Sequence, residues 1–265
     1  MATEENDMSD LAERLCRARL EGGTVPIEPA EIGEDLDAAY DLQQQVLQHI
    51  GDASDSWKVG STSAEAQAAL GTTEPGAARV PARFRFTSPA DVAIFAVHDA
   101  KLEAEFAFRL GKNLPPRAED YTSDDVAAAI DGVAPSLEIV GSRLSGGLTG
   151  SGRAAVTADG GANIALVTGD FIAEWQRFDL PSHQMTVTIN GELGASGEGR
   201  RALGNPFNVM VWLANRQRLH DGLSAGEVAT TGTCSGLLDL AAGDVVVADY
   251  GTLGTVQATM TNAEA

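Results

Sequence analysis

Apolar residues recur with helical spacing near the N-terminus and alternate with polar residues, as in strands, over much of the remaining chain. The helical spacing predicts helices over residues 8–21, 35–50, 64–70, 124–130 and 205–220. The alternating or continuous apolar runs predict strands over residues 56–60, 83–86, 92–97, 102–110, 133–140, 163–167, 184–189, 244–249 and 255–260. Asn190-Gly191, between two such runs, is typical of a tight hairpin turn.

The order of these elements indicates the fold class. Helices cluster early and strands late, and this pattern favours an α+β domain with a large mixed or antiparallel sheet. The regular alternation of strands and helices that marks a doubly wound fold is absent from the sequence. We therefore expect a helical segment over residues 1–55 that packs on a β-rich domain over residues 56–265.

Composition narrows the classes of function. The 265 residues carry a net charge of −20, from 38 acidic and 18 basic residues, and so acidic a surface repels nucleic acid phosphates and anionic membranes. No apolar run is long enough to span a bilayer, and the acidic N-terminus lacks the regions of a signal peptide. Cys16 and Cys234 lie too far apart in sequence to suggest a disulfide framework. We expect a cytoplasmic protein that binds neither nucleic acid nor membrane.

Two glutamates share one face of the predicted strand over residues 102–110. Alternate side chains of a strand point to opposite faces, so Glu103 and Glu105 lie together while Leu102, Phe106 and Phe108 form the apolar face. Unit charges about 4 Å apart repel by roughly 4 kcal/mol at an effective dielectric near 20. Two explanations are open at this point: an amphipathic strand whose polar face meets water, or a site that binds a cation.

A third glutamate, Glu138, lies in the apolar strand predicted over residues 133–140. A buried carboxylate without a partner is unfavourable, so Glu138 requires either a salt bridge, for example to Arg143, or a role beside Glu103 and Glu105. Three carboxylates suit Mg²⁺ or Mn²⁺, because hard cations prefer oxygen ligands. No histidine or cysteine pair has the spacing of a zinc site.

Lys58 is one of three lysines in the chain, and it lies in an apolar run beside Gly60 and a cluster of hydroxyl residues. A partly buried lysine can serve as an acid, a base or an anchor for an anion. The alternative is a surface lysine that precedes a helix cap. Glycine would allow a ligand to approach the backbone closely at this point.

The motifs occur together in an order that resembles a known family. They are Lys58-Val59-Gly60 with Thr62-Ser63, Glu103 and Glu105 before Ala107-Phe108, Pro135 and Leu137-Glu138-Ile139-Val140 with Ser142-Arg143, Ala158-Asp159, Leu203-Gly204-Asn205-Pro206 with Asn208, Trp212-Leu213-Ala214-Asn215, Thr231-Gly232 and Gly243-Asp244. From about Leu11 to the C-terminus, the chain is similar to the 2-keto-4-pentenoate hydratase and 2-oxohepta-3-ene-1,7-dioate hydratase branch of the fumarylacetoacetate hydrolase superfamily.

The resemblance implies a fold, a metal and a substrate class. The fold would be a mixed β-roll with added N-terminal helices, and the protein a homo-oligomer. Mg²⁺ or Mn²⁺ would be held by Glu103, Glu105 and Glu138, and the substrate would be a small 2-hydroxy-2,4-dienoate or 2-oxo acid from the meta-cleavage of aromatic compounds. Lys58 would assist proton transfer, while Gly60, Ser63 and Thr231 would position the substrate carboxylate.

The chain departs from the family pattern at three glycines. Gly76 stands where the resemblance implies an aspartate that works with the lysine, Gly141 where it implies another aspartate, and Gly160 where it implies an asparagine. A glycine cannot transfer a proton, so the loss at Gly76 concerns the acid–base chemistry. Altered chemistry, replacement by Glu74 or another acid, and loss of activity are the alternatives.

Three hypotheses about function follow. The first is a metal-dependent hydratase, a lyase that adds water to the dienoate. The second is a 2-oxo-3-enedioate decarboxylase of the 4-oxalocrotonate type, which would use the same metal site. The third is a non-catalytic binding or scaffold protein; the lost aspartate favours it, and the three retained glutamates count against it.

Overall fold

A computed structural model describes residues 2–26, 32–33 and 35–264, with side chains from residue 10 onward. The α-helices in these ranges are α1 Ala2–Glu21, α2 Leu36–Ile50, α3 Ala64–Ala69, α4 Ser123–Ala129, α5 Gly147–Gly150, α6 Gly152–Ala158 and α7 Pro206–Gln217. Single turns of 3-10 helix lie at Ala82–Phe84, Ala96–His98, Gly160–Ala162, Trp175–Arg177, Leu180–Ser182, Gly199–Arg201 and Gly251–Leu253.

The strands fall into two sheets. In chain order they are β1 Ser56–Gly60, β2 Gly76–Val80, β3 Arg85–Thr87, β4 Ala90–Ile94, β5 Lys101–Leu110, β6 Ile130–Val140, β7 Asn163–Thr168, β8 Gln184–Ile189, β9 Glu192–Glu198, β10 Val228–Thr230, β11 Leu238–Asp239, β12 Val245–Asp249 and β13 Thr255–Asn262. The larger, mixed sheet has the order β2-β1-β10-β5-β6-β7-β3, with β11 also paired to β5. The second sheet has the order β4-β13-β12-β8-β9.

The larger sheet curls as a half-barrel, and its centre is the long antiparallel pair β5–β6. Both strands are buried almost throughout, because the second sheet and the α4 and α7 helices pack against their apolar side chains. The α+β class and the mixed β-roll with N-terminal helices are therefore confirmed.

Local sequence signals explain where the main helices begin and end. The Asp35 side chain accepts hydrogen bonds from the amides of Asp37 and Ala38, and α2 ends at Gly51, whose φ of 75° suits glycine. Asn205 caps α7 through the amide of Phe207, with proline in the first turn. The same signals were visible in the sequence, and the predicted boundaries of these helices are correct to within a few residues.

Other predictions differ from the structure. Helix α1 starts at Ala2 and not at residue 8. The predicted strand over residues 83–86 is a 3-10 turn followed by the short β3. Strand β2 is absent from the strands predicted above. It forms because its whole length pairs with β1, from Gly76 beside Gly60 to Val80 beside Ser56.

A second apolar cluster lies outside the sheets. Buried side chains of α1 and α2 pack with those of α6 and with Leu144, separately from the core between the sheets. The N-terminal helices thus lie against the segment that follows β6. The domain boundary at residue 55 stays a prediction. Within the described residues, the helices are too short or too polar for a membrane crossing.

Candidate metal centre

The pairing of β5 with β6 brings three carboxylates to one face of the sheet. Glu103 lies directly opposite Glu138, and Glu105 lies opposite Ser136. Residues opposite each other in an antiparallel pair share a face, and so do residues two apart in one strand. The three glutamates, which we call the glutamate cluster, are therefore neighbours even though Glu138 is far from the others in sequence.

The cluster has the geometry of a metal site. Each glutamate offers one carboxylate oxygen, and these three oxygens lie within 4.8 Å of one another. Glu105 and Glu138 are fully buried, and Glu103 is partly exposed. The Oε1 atom of Glu105 and the Oε2 atom of Glu138 have no hydrogen-bond partner among the described residues. An amphipathic strand facing water is therefore the wrong explanation of the glutamate pair.

The pKa values of the cluster reflect mutual repulsion in a buried setting. Burial, followed by the charge of Glu138, raises the pKa of Glu103 to about 7. Burial, followed by the charges of Glu138 and Glu103, raises the pKa of Glu105 well above its usual range. A divalent cation would remove both causes, because it neutralises the oxygens and replaces their lost hydration. The residues present thus fit a hard cation.

Lys58 joins the cluster from β1. Its Nζ atom lies 3.3 Å from Glu138 Oε1 and donates a hydrogen bond of 2.8 Å to the carbonyl of Gly161. Lys58 is buried, so the surface lysine considered above is excluded. Burial lowers the pKa of Lys58, but attraction by Glu138, Glu103 and Glu105 outweighs burial and holds the pKa above the ordinary lysine value.

The net charge of the site favours a divalent ion. Three ionised carboxylates and one ammonium group leave a formal charge of −2 at the centre of the sheet. A buried net charge is strongly unfavourable unless it is paired. Mg²⁺ or Mn²⁺ would cancel this charge, and either accepts carboxylate oxygens readily.

Two buried hydrogen bonds in series, from Arg19 to Asn163 and from Asn163 to Glu138, hold the Glu138 carboxylate in place. Asn163 Nδ2 donates to Glu138 Oε1 over 2.9 Å, and Arg19 Nη2 donates to Asn163 Oδ1 over 3.0 Å. Neither residue was predicted, because Asn163 lies on β7 and Arg19 on α1, far in sequence from Glu138. Arg143 does not pair with Glu138 as considered above. It forms a fully buried salt bridge of 2.7 Å with Asp159.

The cluster opens into a cavity of about 180 Å³. Lys58, Gly60 and Glu103 line it, together with Arg153 from α6 and apolar residues such as Leu237. Sites for drug-sized ligands typically enclose about 300–1,000 Å³. A cavity of this size therefore suits a small molecule, with carboxylates and a lysine at one end.

Comparisons with known proteins agree with this geometry. The sequence model of the fumarylacetoacetate (FAA) hydrolase C-terminal family matches residues 48–261, which is most of the chain. The chain belongs to the FAA hydrolase family. Its match in the family extends from the end of α2 to β13, and therefore includes the glutamate cluster and Lys58.

Relatives in the FAA hydrolase family have described activities. The chain is 30% identical over 253 residues to a 2-keto-4-pentenoate hydratase of Paraburkholderia xenovorans, covering 94% of this chain and 93% of the relative. It is 29% identical to the same enzyme of Burkholderia vietnamiensis, covering 98% and 99% of the two chains. Among solved structures, 4-oxalocrotonate decarboxylase from Pseudomonas putida G7, complexed with magnesium and adipate, superposes with a TM-score of 0.85 at 25% identity, over 97% and 98% of the two chains.

The residues predicted to position a substrate carboxylate lie in different surroundings. Gly60 lines the cavity. The Ser63 hydroxyl caps α3 by accepting a hydrogen bond from Ala66 N, and the Thr231 hydroxyl donates to the carbonyl of Phe106. Neither Ser63 nor Thr231 is among the cavity-lining residues. A role for these two hydroxyls in substrate binding stays a prediction.

The three glycines that depart from the family pattern have distinct environments. A Cβ atom at Gly76 would lie 2.4 Å from Arg153 Nη2, and one at Gly141 would lie 2.6 Å from the carbonyl oxygen of His98. Gly160 has a φ of 64°, which disfavours a side chain. Glu74 is exposed and is not among the residues that line the cavity, so the structure gives no support to it as a replacement acid.

We expect Asn163→Ala to weaken Mg²⁺ binding by about 10–100-fold, the usual effect of losing a group that orients a metal ligand. Glu138 would lose its 2.9 Å hydrogen bond while all three carboxylates stay in place. Isothermal titration calorimetry with Mg²⁺ measures the change. Asn208→Ala is the matched control, because it removes an exposed side-chain hydrogen bond to Leu203 O. Equal Mg²⁺ affinity in the two variants would contradict the positioning role of Asn163.

Proposed function

We propose that this protein is a divalent-metal-dependent hydratase that adds water to a small 2-hydroxy-2,4-dienoate or 2-oxo-4-enoate acid in the catabolism of aromatic compounds. One observation carries the proposal: three buried or partly buried carboxylates, two with unpartnered oxygens, meet a buried lysine at one end of a small cavity. The hydratases of Paraburkholderia and Burkholderia support the proposed reaction.

Glu103, Glu105 and Glu138 would hold Mg²⁺ or Mn²⁺ at this centre. The unpartnered oxygens of Glu105 and Glu138 are the atoms that most need a cation, since nothing else among the described residues satisfies them. When bound, the ion would act as a Lewis acid and stabilise negative charge on the carboxylate and 2-oxygen of the substrate. The solved decarboxylase with magnesium supports this choice of metal.

The residues of the chain would bind, orient and protonate the substrate. Hydration needs the proton of the 2-hydroxyl to leave and a proton to reach the far end of the diene, after which water adds to the conjugated ketone. Lys58 Nζ lines the cavity beside Glu138 and can carry such a proton. Gly60 allows the substrate to approach the backbone at the end of β1, and Leu237 and Val140 add apolar surface to the cavity.

A decarboxylase of 2-oxo-3-enedioates is the second candidate. Two observations favour it: the TM-score of 0.85 to 4-oxalocrotonate decarboxylase, and the absence of a carboxylate at Gly76 for acid–base work. Decarboxylation would use the same metal centre, because both reactions develop an enolate at the 2-oxygen. The expected homo-oligomer is a further prediction.

A spectroscopic assay separates these functions. With Mg²⁺ and 2-hydroxypenta-2,4-dienoate or a longer dienoate, a hydratase bleaches the ultraviolet absorbance of the diene without gas release. A decarboxylase releases CO₂ from 2-oxohex-3-enedioate. We expect bleaching that disappears when EDTA removes the metal. Tight binding of these acids without turnover would instead indicate a non-catalytic member of the family.

A further inference from the structure

Arg153 brings a positive charge into the cavity without a carboxylate partner. Its Nη1 donates to Ser61 Oγ over 3.0 Å and its Nη2 donates to the carbonyl of Pro75 over 2.9 Å. Among the described residues it forms no ion pair. Other arginines do, such as Arg79 with Glu227 and Arg143 with Asp159. Both acceptors of Arg153 are neutral, so its charge is uncompensated.

The guanidinium group also has unused donors. A guanidinium carries five N–H groups in a rigid fork, and two of them reach Ser61 and Pro75. The Nε atom of Arg153 is buried and has no acceptor. A buried donor without a partner is unfavourable. Arg153 lines the cavity, and an anion there would compensate the charge of the guanidinium.

The surroundings of Arg153 keep its guanidinium in this place. Gly76 has no side chain, and the guanidinium lies where a Cβ at this position would be. Ser61 adopts a φ of 55°, which is uncommon for a residue with a side chain, and presents its hydroxyl to Nη1. One unusual backbone position directly after β1 and one glycine at the start of β2 thus accommodate the arginine.

The same cavity contains the metal centre. Glu103 and Lys58 line it with Arg153, and the residue that follows Gly60 in the chain is Ser61, the partner of Arg153. The cavity therefore presents two groups that can hold negative charge: Lys58 at the glutamate cluster, where a bound cation would add to it, and the fork of Arg153. The volume of about 180 Å³ restricts a ligand that reaches both to a short chain.

We propose that Arg153 binds the distal carboxylate of a dicarboxylic 2-oxo acid whose 2-oxo acid end lies at the glutamate cluster. This inference rests on the proposed function and narrows its substrates to those acids that carry a second carboxylate. Arginine is suited to this role, because its planar fork matches the two oxygens of a carboxylate. A purely structural Arg153, bracing β1 against β2, would not distinguish the two classes of acid.

Two acids that differ only in the distal group test the inference. The Mg²⁺-loaded protein is titrated by calorimetry with 2-oxoadipate and with 2-oxohexanoate, which lacks the second carboxylate. We expect 2-oxoadipate to bind about 10–100-fold more tightly, as a hydrogen-bonded charge pair adds roughly 1.5–3 kcal/mol. Arg153→Gln should abolish that preference and leave the affinity for 2-oxohexanoate unchanged.

A second variant and a control distinguish a specific effect of Arg153 from a general loss of binding. Gly76→Ala keeps the arginine but drives a Cβ into its guanidinium, whose flexible end can move aside, and should also abolish the preference. Arg177→Gln removes an exposed arginine and should not change it. Equal binding of both acids to the unmodified protein would overturn the inference alone, as would equal weakening of both acids by Arg153→Gln. Failure of both acids to bind would overturn the proposed function with it.

Discussion

Replacing Glu105 with glutamine should abolish Mg²⁺ binding and lower activity by about a thousand-fold or more, because a Lewis acid contributes several kcal/mol and each 1.36 kcal/mol is tenfold in rate. Glutamine has the same shape and can still accept the 2.8 Å hydrogen bond from Gly232 N through its amide oxygen. The substitution therefore removes one charge from the centre and little else. Calorimetry with Mg²⁺ and the diene absorbance assay measure both effects.

In the absence of metal, Glu105→Gln should raise the unfolding temperature of the protein. Burial and two neighbouring carboxylates raise the pKa of Glu105 well above its usual range, so the folded state is less strained without this charge. A gain of about 1 kcal/mol raises the unfolding temperature of a domain of this size by about 2–4 °C. Calorimetric melting with EDTA should show this gain, and added Mg²⁺ should no longer stabilise the variant.

A matched control makes the result specific. Glu192→Gln removes an exposed carboxylate from β9, in the other sheet, and should change neither Mg²⁺ binding nor melting. If Glu105→Gln binds Mg²⁺ as tightly as the unmodified protein, the metal assignment is wrong. A metal-free unfolding temperature that falls in the variant would contradict the account of repulsion in the cluster.

The sequence predicted which face of the strand carries the two neighbouring glutamates, but not how that strand pairs. Alternation along residues 102–110 placed Glu103 and Glu105 on one face, and their apolar partners are indeed buried. The register that sets Glu138 opposite Glu103 was not predictable from the residues, because β5 and β6 are joined by a long connection that contains α4. The residues alone left open whether Glu138 joins the pair or forms a salt bridge, and the order of motifs shared with the family favoured a three-glutamate site.

Residues that hold the site from a distance escaped prediction for a physical reason. Asn163 is the first residue of β7 and Arg19 lies near the end of α1, and neither position has a local signature. Asn163 reaches Glu138 through the pairing of β7 with β6, and Arg19 reaches Asn163 because α1 packs beside the large sheet. Arg143 is the converse case: it is near Glu138 in sequence, but β6 has ended at Val140, and the chain turns Arg143 toward Asp159.

Strand β2 shows how tertiary pairing overrides local preference. Gly76 and two alanines have little tendency to form strands, so the sequence pattern does not predict a strand there. Pairing with β1 along its full length compensates for that weak tendency. The result matters for function, since this edge of the sheet brings Gly76 next to Arg153 at the wall of the cavity.

Replacing Lys58 with methionine should lower activity by about 10²–10⁴-fold, the usual contribution of a positioned general acid or base. Methionine fills a similar volume but cannot carry a proton or a charge. Lys58 is not a metal ligand, and its positive charge opposes a nearby cation, so Mg²⁺ affinity should stay the same or rise. Turnover of the dienoate and calorimetry with Mg²⁺ give the two numbers on the same preparation.

The separation of activity from metal affinity distinguishes Lys58 from the glutamates. Glu138 Oε1 keeps its hydrogen bond from Asn163 in the variant, so the loss of the 3.3 Å contact with Lys58 should leave that carboxylate in place. Lys101→Met is the matched control, because Lys101 pairs with the exposed Asp99 and Asp239 at the surface. If Lys58→Met loses Mg²⁺ binding together with activity, the lysine acts by holding the metal site. If activity survives, another group moves the proton, and the apparent loss of acid–base groups at Gly76 becomes the central question about this enzyme.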